Sequence, residues 1–298
     1  MSRPALSGVI AAIATAIDGN GAPDAARSVK LARNLLENGC DGLNVLGTTG
    51  EATSFSLDQR KGLMSAYARA GLPLGQMMVG TGAAALADAL ALTRHAAALR
   101  FAGALVLPPF YYKGVADDGL FAFIEALIGA TADRPIPLYL YHFPANSGLP
   151  WPIALIRRLR AAFGPRIAGL KDSSGEMAYA REAAAVAPDF AVFPSTEAAL
   201  MEARQGAFAG CISATANLNA DLCARAYHNG DAGALDAAVA IRRLFDGKPL
   251  VSGVKAVLAH AHGDVGWARV MPPLTAYPAP DRAAAVAGYD RIRAKRVA

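Results

Sequence analysis

Residues 137–170 read PLYLYHFPANSGLPWPIALIRRLRAAFGPRIAGL. The apolar run Pro137–Tyr141 is too short for a helix and predicts a buried strand. Pro152–Phe163 carries apolar residues at helical spacing and stops at Gly164. Ile167–Leu170 is a second apolar run. A strand, a helix and another strand within this length form a right-handed parallel unit.

The same beat runs through the chain in both directions. Toward the N-terminus the predicted strands are Val9–Ala14, Leu43–Leu46, Gln76–Val79 and Ala104–Leu107. Helices follow at Asp24–Asn38, after the Ser56-Leu-Asp-Gln59 capping box, at Ala84–Leu99 and at Asp118–Ala130. Toward the C-terminus, strands at Phe190–Phe193 and Gly210–Ser213 alternate with helices near Glu176–Val186, Thr196–Arg204 and Ala220–His228. Eight strand–helix units by residue 230 predict an α/β fold, a (β/α)8 barrel over 1–230. Residues 231–298 are read as a helical extension packed on it, with helices near Ala234–Phe245, Val251–Ala261 and Asp281–Arg293.

Composition agrees. The 298 residues are 54% hydrophobic and 18% charged, which excludes a disordered chain. A net charge of +5 without any basic block suits anionic small molecules and not nucleic acid. Cys40, Cys211 and Cys223 are too few for a disulfide framework, so a reducing, cytoplasmic setting is expected. No apolar run is long enough to span a membrane. Arg3, the run Val9–Ile17 and Ala14-Thr15-Ala16 faintly resemble a signal peptide, but a buried first strand is the better reading.

A barrel of this kind carries its chemistry at the carboxyl ends of its strands. Those ends hold Gly47-Thr48-Thr49-Gly50-Glu51, Pro109-Phe-Tyr111-Tyr112-Lys113, Tyr141 with His142 to Gly148, Lys171-Asp-Ser173-Ser-Gly175, and Ser213. Lys171 continues an apolar strand into the barrel mouth. Burial there disfavours an ammonium, and a neutral amine adds to a ketone to give a Schiff base. A lysine merely snorkelling to pair with Asp172 is the structural alternative. Tyr141 is an acid–base candidate that needs a hydroxyl relay, which Thr48 or Thr49 could supply. The Gly-Thr-Thr-Gly turn offers amides and hydroxyls to a carboxylate. Gly80-Thr-Gly82-Ala-Ala-Ala85 lacks the third glycine of a dinucleotide fingerprint, and His260 and His262 point apart on a helix. No cofactor and no metal are expected.

Taken together, Gly47–Glu51, Pro109–Tyr112, Leu140–Pro144, Gly169–Ser173, Gly206–Ser213 and Val254-Lys255-Ala256 resemble the dihydrodipicolinate synthase / N-acetylneuraminate lyase family, in order and in spacing. The resemblance covers nearly the whole chain. It implies a cofactor-independent Schiff-base lyase on a (β/α)8 barrel, commonly a homotetramer, acting on pyruvate and an aldehyde. Carried over, it makes Lys171 the imine-forming residue and Tyr141 the proton shuttle. Thr48 and Thr49 become the pyruvate carboxylate site, with Thr48 also in the relay. Tyr112 (or Tyr111) becomes an aromatic lent to a neighbouring subunit.

Two departures bear on the substrate. The synthases place an Arg where this chain has Asn146, and neutral Asn cannot make a bidentate charged pair. Pro144-Ala-Asn-Ser-Gly148 is similar instead to 4-hydroxy-2-oxoglutarate aldolases and is compatible with 2-keto-3-deoxy sugar-acid aldolases or dehydratases. Phe193-Pro-Ser195-Thr196-Glu197 replaces a Gly-containing segment and argues against sialic-acid cleavage. Ser195, Thr196 and Glu197, with Asn146, Ser173 and Ser213, are the expected substrate contacts. The expected function is C–C cleavage or formation, or dehydration, of a hydroxylated 2-oxo acid. Dihydrodipicolinate synthesis and a non-catalytic keto-acid sensor are the alternatives.

Overall fold

The computed structural model describes residues 6–294. Arg3, weighed above as part of a leader, and the last four residues of the extension lie outside them. Eight strands form one parallel sheet: β1 (Gly8–Ala12), β2 (Gly42–Val45), β3 (Met77–Gly80), β4 (Gly103–Val106), β5 (Leu138–His142), β6 (Ile167–Asp172), β7 (Ala191–Pro194) and β8 (Gly210–Ser213). Each pairs with its successor as far as β7, and β8 pairs with β1. The amide of Ala209 donates to the carbonyl of Val192 at 3.0 Å, so backbone bonding also reaches across from β7 to the start of β8. The fold is thus the (β/α)8 barrel expected, followed by C-terminal helices.

The predicted boundaries shift by one or two residues at most strands. β6 runs on through Lys171 and Asp172, which the sequence reading placed just beyond its end. The first helix is Ala25–Glu37, with the Asp24 carboxylate capping the Arg27 amide. Leu57–Arg69 opens on the Ser56/Gln59 capping box, both halves of which form. Such caps are worth about 1 kcal/mol each. Two features were not anticipated. A single helical turn, Pro144–Ser147, follows β5, and the helix after β8 starts early, at Ala216, with a kink at Asn219.

The barrel interior holds Ile10, Ala12, Met78, Leu105, Tyr139, Tyr141, Phe193 and Ile212. The alternate strand residues, such as Val9, Ala11, Leu43 and Val45, join the larger core between sheet and helices. β6 breaks this alternation. Ile167 and Leu170 both pack outward, although they are three positions apart. The register against β5 slips between Leu138 and Tyr139, so that Tyr139 faces Gly169 and Tyr141 faces Lys171. This bulge inserts one residue into β6 and turns Lys171 inward. A regular strand would have put Lys171 on the face of Ile167. Gly169 makes the bulge possible, because a Cβ there would sit 2.0 Å from the carbonyl oxygen of Ala191.

The extension comprises helices Ala232–Arg243, Leu250–Ala261 and Ala279–Ala294. Lys255 reaches from its second helix to Glu51 in the β2 turn, and the Asn219 amide donates to the Ala238 carbonyl at 3.1 Å. His260 pairs with Asp290 on the outside.

Candidate active site

Lys171 and Tyr141 lie side by side at the mouth, on neighbouring strands. Lys171 is 3% exposed, and its Nζ sits 4.5 Å from the centre of the Tyr141 ring. Among the described residues no carboxylate lies within ion-pairing distance of it. Asp172, the partner that a snorkelling lysine would need, instead accepts the Ser174 amide at 3.0 Å. Burial raises the Asp172 carboxyl above its ordinary range.

The Tyr141 hydroxyl is 3.2 Å from Thr48 Oγ1, and either can donate. Trp151, fully buried, fixes the strand end behind it. Its indole N–H donates to the Tyr141 carbonyl at 3.2 Å, and its amide donates to His142 Nδ1 at 3.1 Å. Burial pushes the His142 imidazole down to about 4. The amide aimed at Nδ1 works in the same direction, because it requires that nitrogen to be unprotonated.

The turn carrying Thr48 and Thr49 is bent between two left-handed residues, Leu46 at φ 52° and Glu51 at φ 54°. Such conformations cost about 1–3 kcal/mol each and persist only where the surroundings impose them. Here they do. Glu51 Oε1 is 2.5 Å from Lys255 Nζ, its Oε2 accepts the Met271 amide at 2.7 Å, and Thr15 donates to the Gly50 carbonyl at 2.8 Å. Both charged side chains of the pair are 0% exposed. The amides of Thr48, Thr49 and Gly50 meet no protein acceptor among the described residues. Turn amides left without a protein acceptor suit an anion.

A cavity of about 440 Å³ is lined by Thr48, Thr49, Tyr141, Asn146, Lys171, Ser173 and Ser195, with Arg242 and Ser252 from the extension. A second cavity, about 350 Å³, meets it at Thr48, Tyr141 and Asn146. The Gly80–Gly82 segment borders this second space, and its carbonyls at 80 and 82 accept from Arg60 at 2.9 and 3.2 Å. Its glycines serve close packing: a Cβ on Gly80 would meet the Leu46 carbonyl oxygen at 2.0 Å.

Other predicted contacts are placed differently. Glu197 does not line the cavity. It is completely buried, and its Oε1 accepts the hydroxyls of Ser213 (2.6 Å) and Thr215. The reason is a short 3-10 turn, Glu197–Ala199, that folds the side chain under the loop. Ser213 is likewise fully buried, spent on Glu197. Thr196 caps that turn by accepting the Ala198 amide. Tyr111 and Tyr112 pack edge to face at 5.3 Å and stand 74% and 70% exposed, outside the cavity lining. Sequence reasoning missed Arg242. It follows Ile241 at the rim of a buried face formed with Ala234, Ala237 and Ala238, a pattern that gives no hint of a cavity below.

An inward-facing amine beside a phenol–hydroxyl pair, at the carboxyl end of a parallel barrel, defines an enzyme that attacks carbonyl carbon through lysine. The particular family follows from comparison with known proteins. The model of the dihydrodipicolinate synthetase family matches residues 5–277, and the chain belongs to that family. Its members are lyases and synthases that act through a Schiff base with pyruvate. The chain is 33% identical over 273 residues to a DapA-like lyase of Chloroflexus aurantiacus, covering 88% of each. It superposes on dihydrodipicolinate synthase from Agrobacterium tumefaciens with a TM-score of 0.89 and 27% identity, over 96% of this chain and 99% of the other. For N-acetylneuraminate lyase of Proteus mirabilis the values are 0.82 and 25%, over 97% and 99%. Among the described residues no helix is long and apolar enough to cross a membrane.

Proposed function

We propose that this lyase cleaves or forms a carbon–carbon bond to pyruvate within a hydroxylated 2-oxo acid, of the 4-hydroxy-2-oxoglutarate or 2-keto-3-deoxy sugar-acid type. Dehydration of such an acid through the same imine is the close variant. The observation that carries the reading is the placement of Lys171, Tyr141 and Thr48 around one cavity.

The Lys171 amine adds to the C2 carbonyl of the substrate and water leaves, giving an iminium. Tyr141, relayed through Thr48, takes the proton of the C4 hydroxyl. The C3–C4 bond breaks, its electron pair passes into the iminium as a neutral enamine, and an aldehyde departs. Protonation at C3 and hydrolysis return pyruvate and the free amine. A placed acid–base group contributes typically about 10²–10⁴-fold to such a step. Thr48 and Thr49, with the free amides of their turn, hold the C1 carboxylate. Asn146 and Ser173 face the rest of the substrate from the cavity wall. The exposed Tyr112, with Tyr111 beside it, is lent to a neighbouring copy in a homotetramer, which sedimentation of the purified chain checks.

Borohydride trapping tests the chemistry. Incubation with pyruvate and reduction should leave a covalent adduct that peptide mass analysis assigns to Lys171 and that Lys171→Ala lacks. No adduct under conditions that trap a control aldolase would sink the imine mechanism. A panel of 4-hydroxy-2-oxo and 2-keto-3-deoxy acids then ranks substrates. Preferred turnover of aspartate semialdehyde would instead favour dihydrodipicolinate synthesis.

A further inference from the structure

The cavity that holds Lys171 is also lined by a guanidinium that the imine chemistry leaves without a role. Arg242 lines it from the helix Ala232–Arg243. Its Nη1 donates to the Ser195 carbonyl at 2.8 Å and approaches Ser213 Oγ at 3.4 Å. Among the described residues Nε and Nη2 donate to no protein acceptor. The side chain is 26% exposed, so the guanidinium is neither sunk in the core nor free in solvent.

Glu197 explains why it stays there. The carboxylate is fully buried, its Oε1 is taken by Ser213 and Thr215, and its Oε2 has no hydrogen-bond partner. That second oxygen lies 3.9 Å from Arg242 Nη1, too far for a hydrogen bond but close enough for attraction. The guanidinium is therefore pinned on one side, by Ser195 and by the charge beneath, while its remaining donors are unspent. Among the described residues no Asp or Glu lines the cavity. An unspent guanidinium with no carboxylate beside it in the lining is complementary to a negative group at the far end of a substrate whose C1 carboxylate lies on the Thr48–Thr49 turn.

We propose that Arg242 is a specificity-determining residue that receives a second carboxylate, so that the preferred substrate is a 2-oxo dicarboxylic acid and not a neutral-ended sugar acid. This rests on the imine reading above and narrows it. The C1 carboxylate occupies the Thr48–Thr49 turn, C2 bonds to Lys171, and the distal carboxylate takes the open edge of the guanidinium. Arg242 thus supplies, from a different element, the cation that neutral Asn146 cannot.

The test uses the full chain and two probes of equal carbon number, 2-oxoglutarate and 2-oxopentanoate. Both can form a ketimine with Lys171, with loss of water, and borohydride reduces either to a stable secondary amine. They differ only in a carboxylate against a methyl group at C5. Half-saturating concentrations for trapping are compared with pyruvate as the reference. The wild type should favour 2-oxoglutarate by about tenfold to a hundredfold, the range expected of charge-assisted hydrogen bonds. In Arg242→Gln the ratio should fall toward one; because it is a ratio, any general loss of imine formation cancels. If that variant does not fold, Arg242→Lys, which keeps the charge and loses the fork, must lower the ratio. A wild-type ratio near one, or a ratio unchanged in either variant, overturns the role of Arg242 while leaving the imine reading intact. Failure of pyruvate itself to trap on Lys171 overturns that reading, and this one with it.

Discussion

Replacing Lys255 with Met should unfold the site from a distance, and the size of the effect can be worked out. Lys255 and Glu51 are both completely buried, with Nζ and Oε1 2.5 Å apart. Burial lowers the Lys255 ammonium from its ordinary range, and the Glu51 carboxylate opposes that shift. In Lys255→Met the carboxylate is left with one donor, the Met271 amide. Stranding one member of a buried ion pair costs about 3–5 kcal/mol. Domains have roughly 5–15 kcal/mol in all, so about a fifth or more of the stability is at stake. In Glu51→Gln/Lys255→Met no charge is stranded, and replacing both partners of a buried pair is often close to neutral. The double variant should therefore recover most of the loss, and the sum of the single-variant losses should exceed the double-variant loss. Urea unfolding of the four proteins at one fixed protein concentration, followed by the fluorescence of buried Trp151 and Trp267, measures it. Because Glu51 ends the strained turn, half-saturation for pyruvate should rise in Lys255→Met and fall back in the double variant. A cost under about 1 kcal/mol, or a double variant no better than the single, would refute the view that this pair holds the turn.

Tyr141→Phe keeps the ring beside Lys171 and deletes only the hydroxyl bonded to Thr48; kcat/KM for cleavage should fall about 10²–10⁴-fold while pyruvate still traps on Lys171. Gly169→Ala puts a Cβ 2.0 Å from a backbone oxygen of β7 that has nowhere to go, so it should destabilise by about 1–3 kcal/mol and weaken trapping, as urea unfolding and adduct mass will show. His142 gives a pH signature. Its folded pKa, about 4, lies below its ordinary 6.5, so the unfolded chain binds the proton first. Its contribution is complete above about pH 6.5 and is lost as pH falls toward 4, by at most about 3 kcal/mol. Asp172, raised by burial, acts with the opposite sign, its contribution being lost as pH rises. Comparing Asp172→Asn with Asp172→Asn/His142→Gln across pH 4–7 isolates the imidazole, and equal slopes would exclude this account of it.

What could be read from the sequence was local. The strand–helix beat and the Ser56/Gln59 box each depend on residues within a few positions of one another, and each is present. The strand-end motifs were legible because a parallel barrel gathers all such ends on one face. Pairings across long separations were not legible. Glu51 and Lys255 are 204 positions apart, and neither position marks the other. Glu197 was expected to face substrate because it follows a strand as a polar residue. Its actual partners, Ser213 and Thr215, come from the next strand and the loop beyond it, and the 3-10 turn that directs it inward has no strong sequence signature. Arg242 was passed over because an arginine on an amphipathic helix ordinarily marks the solvent edge.

The bulge in β6 shows most clearly where local reading ends and chemistry begins. An apolar run leading into a lysine is equally consistent with an inward amine and an outward, snorkelling one. Strand parity alone favours the outward case, since Ile167, two pairs back on the same parity, packs against the helices. One extra residue reverses that parity and sets Lys171 opposite Tyr141. The reversal requires a residue without a side chain where β6 passes the Ala191 carbonyl, and Gly169 meets that requirement. The Lys171 amine therefore owes its direction to a neighbour in its own strand. This is why Gly169 belongs with Lys171 in any account of the site, and why a motif match that counted only the lysine would miss what makes it face the cavity.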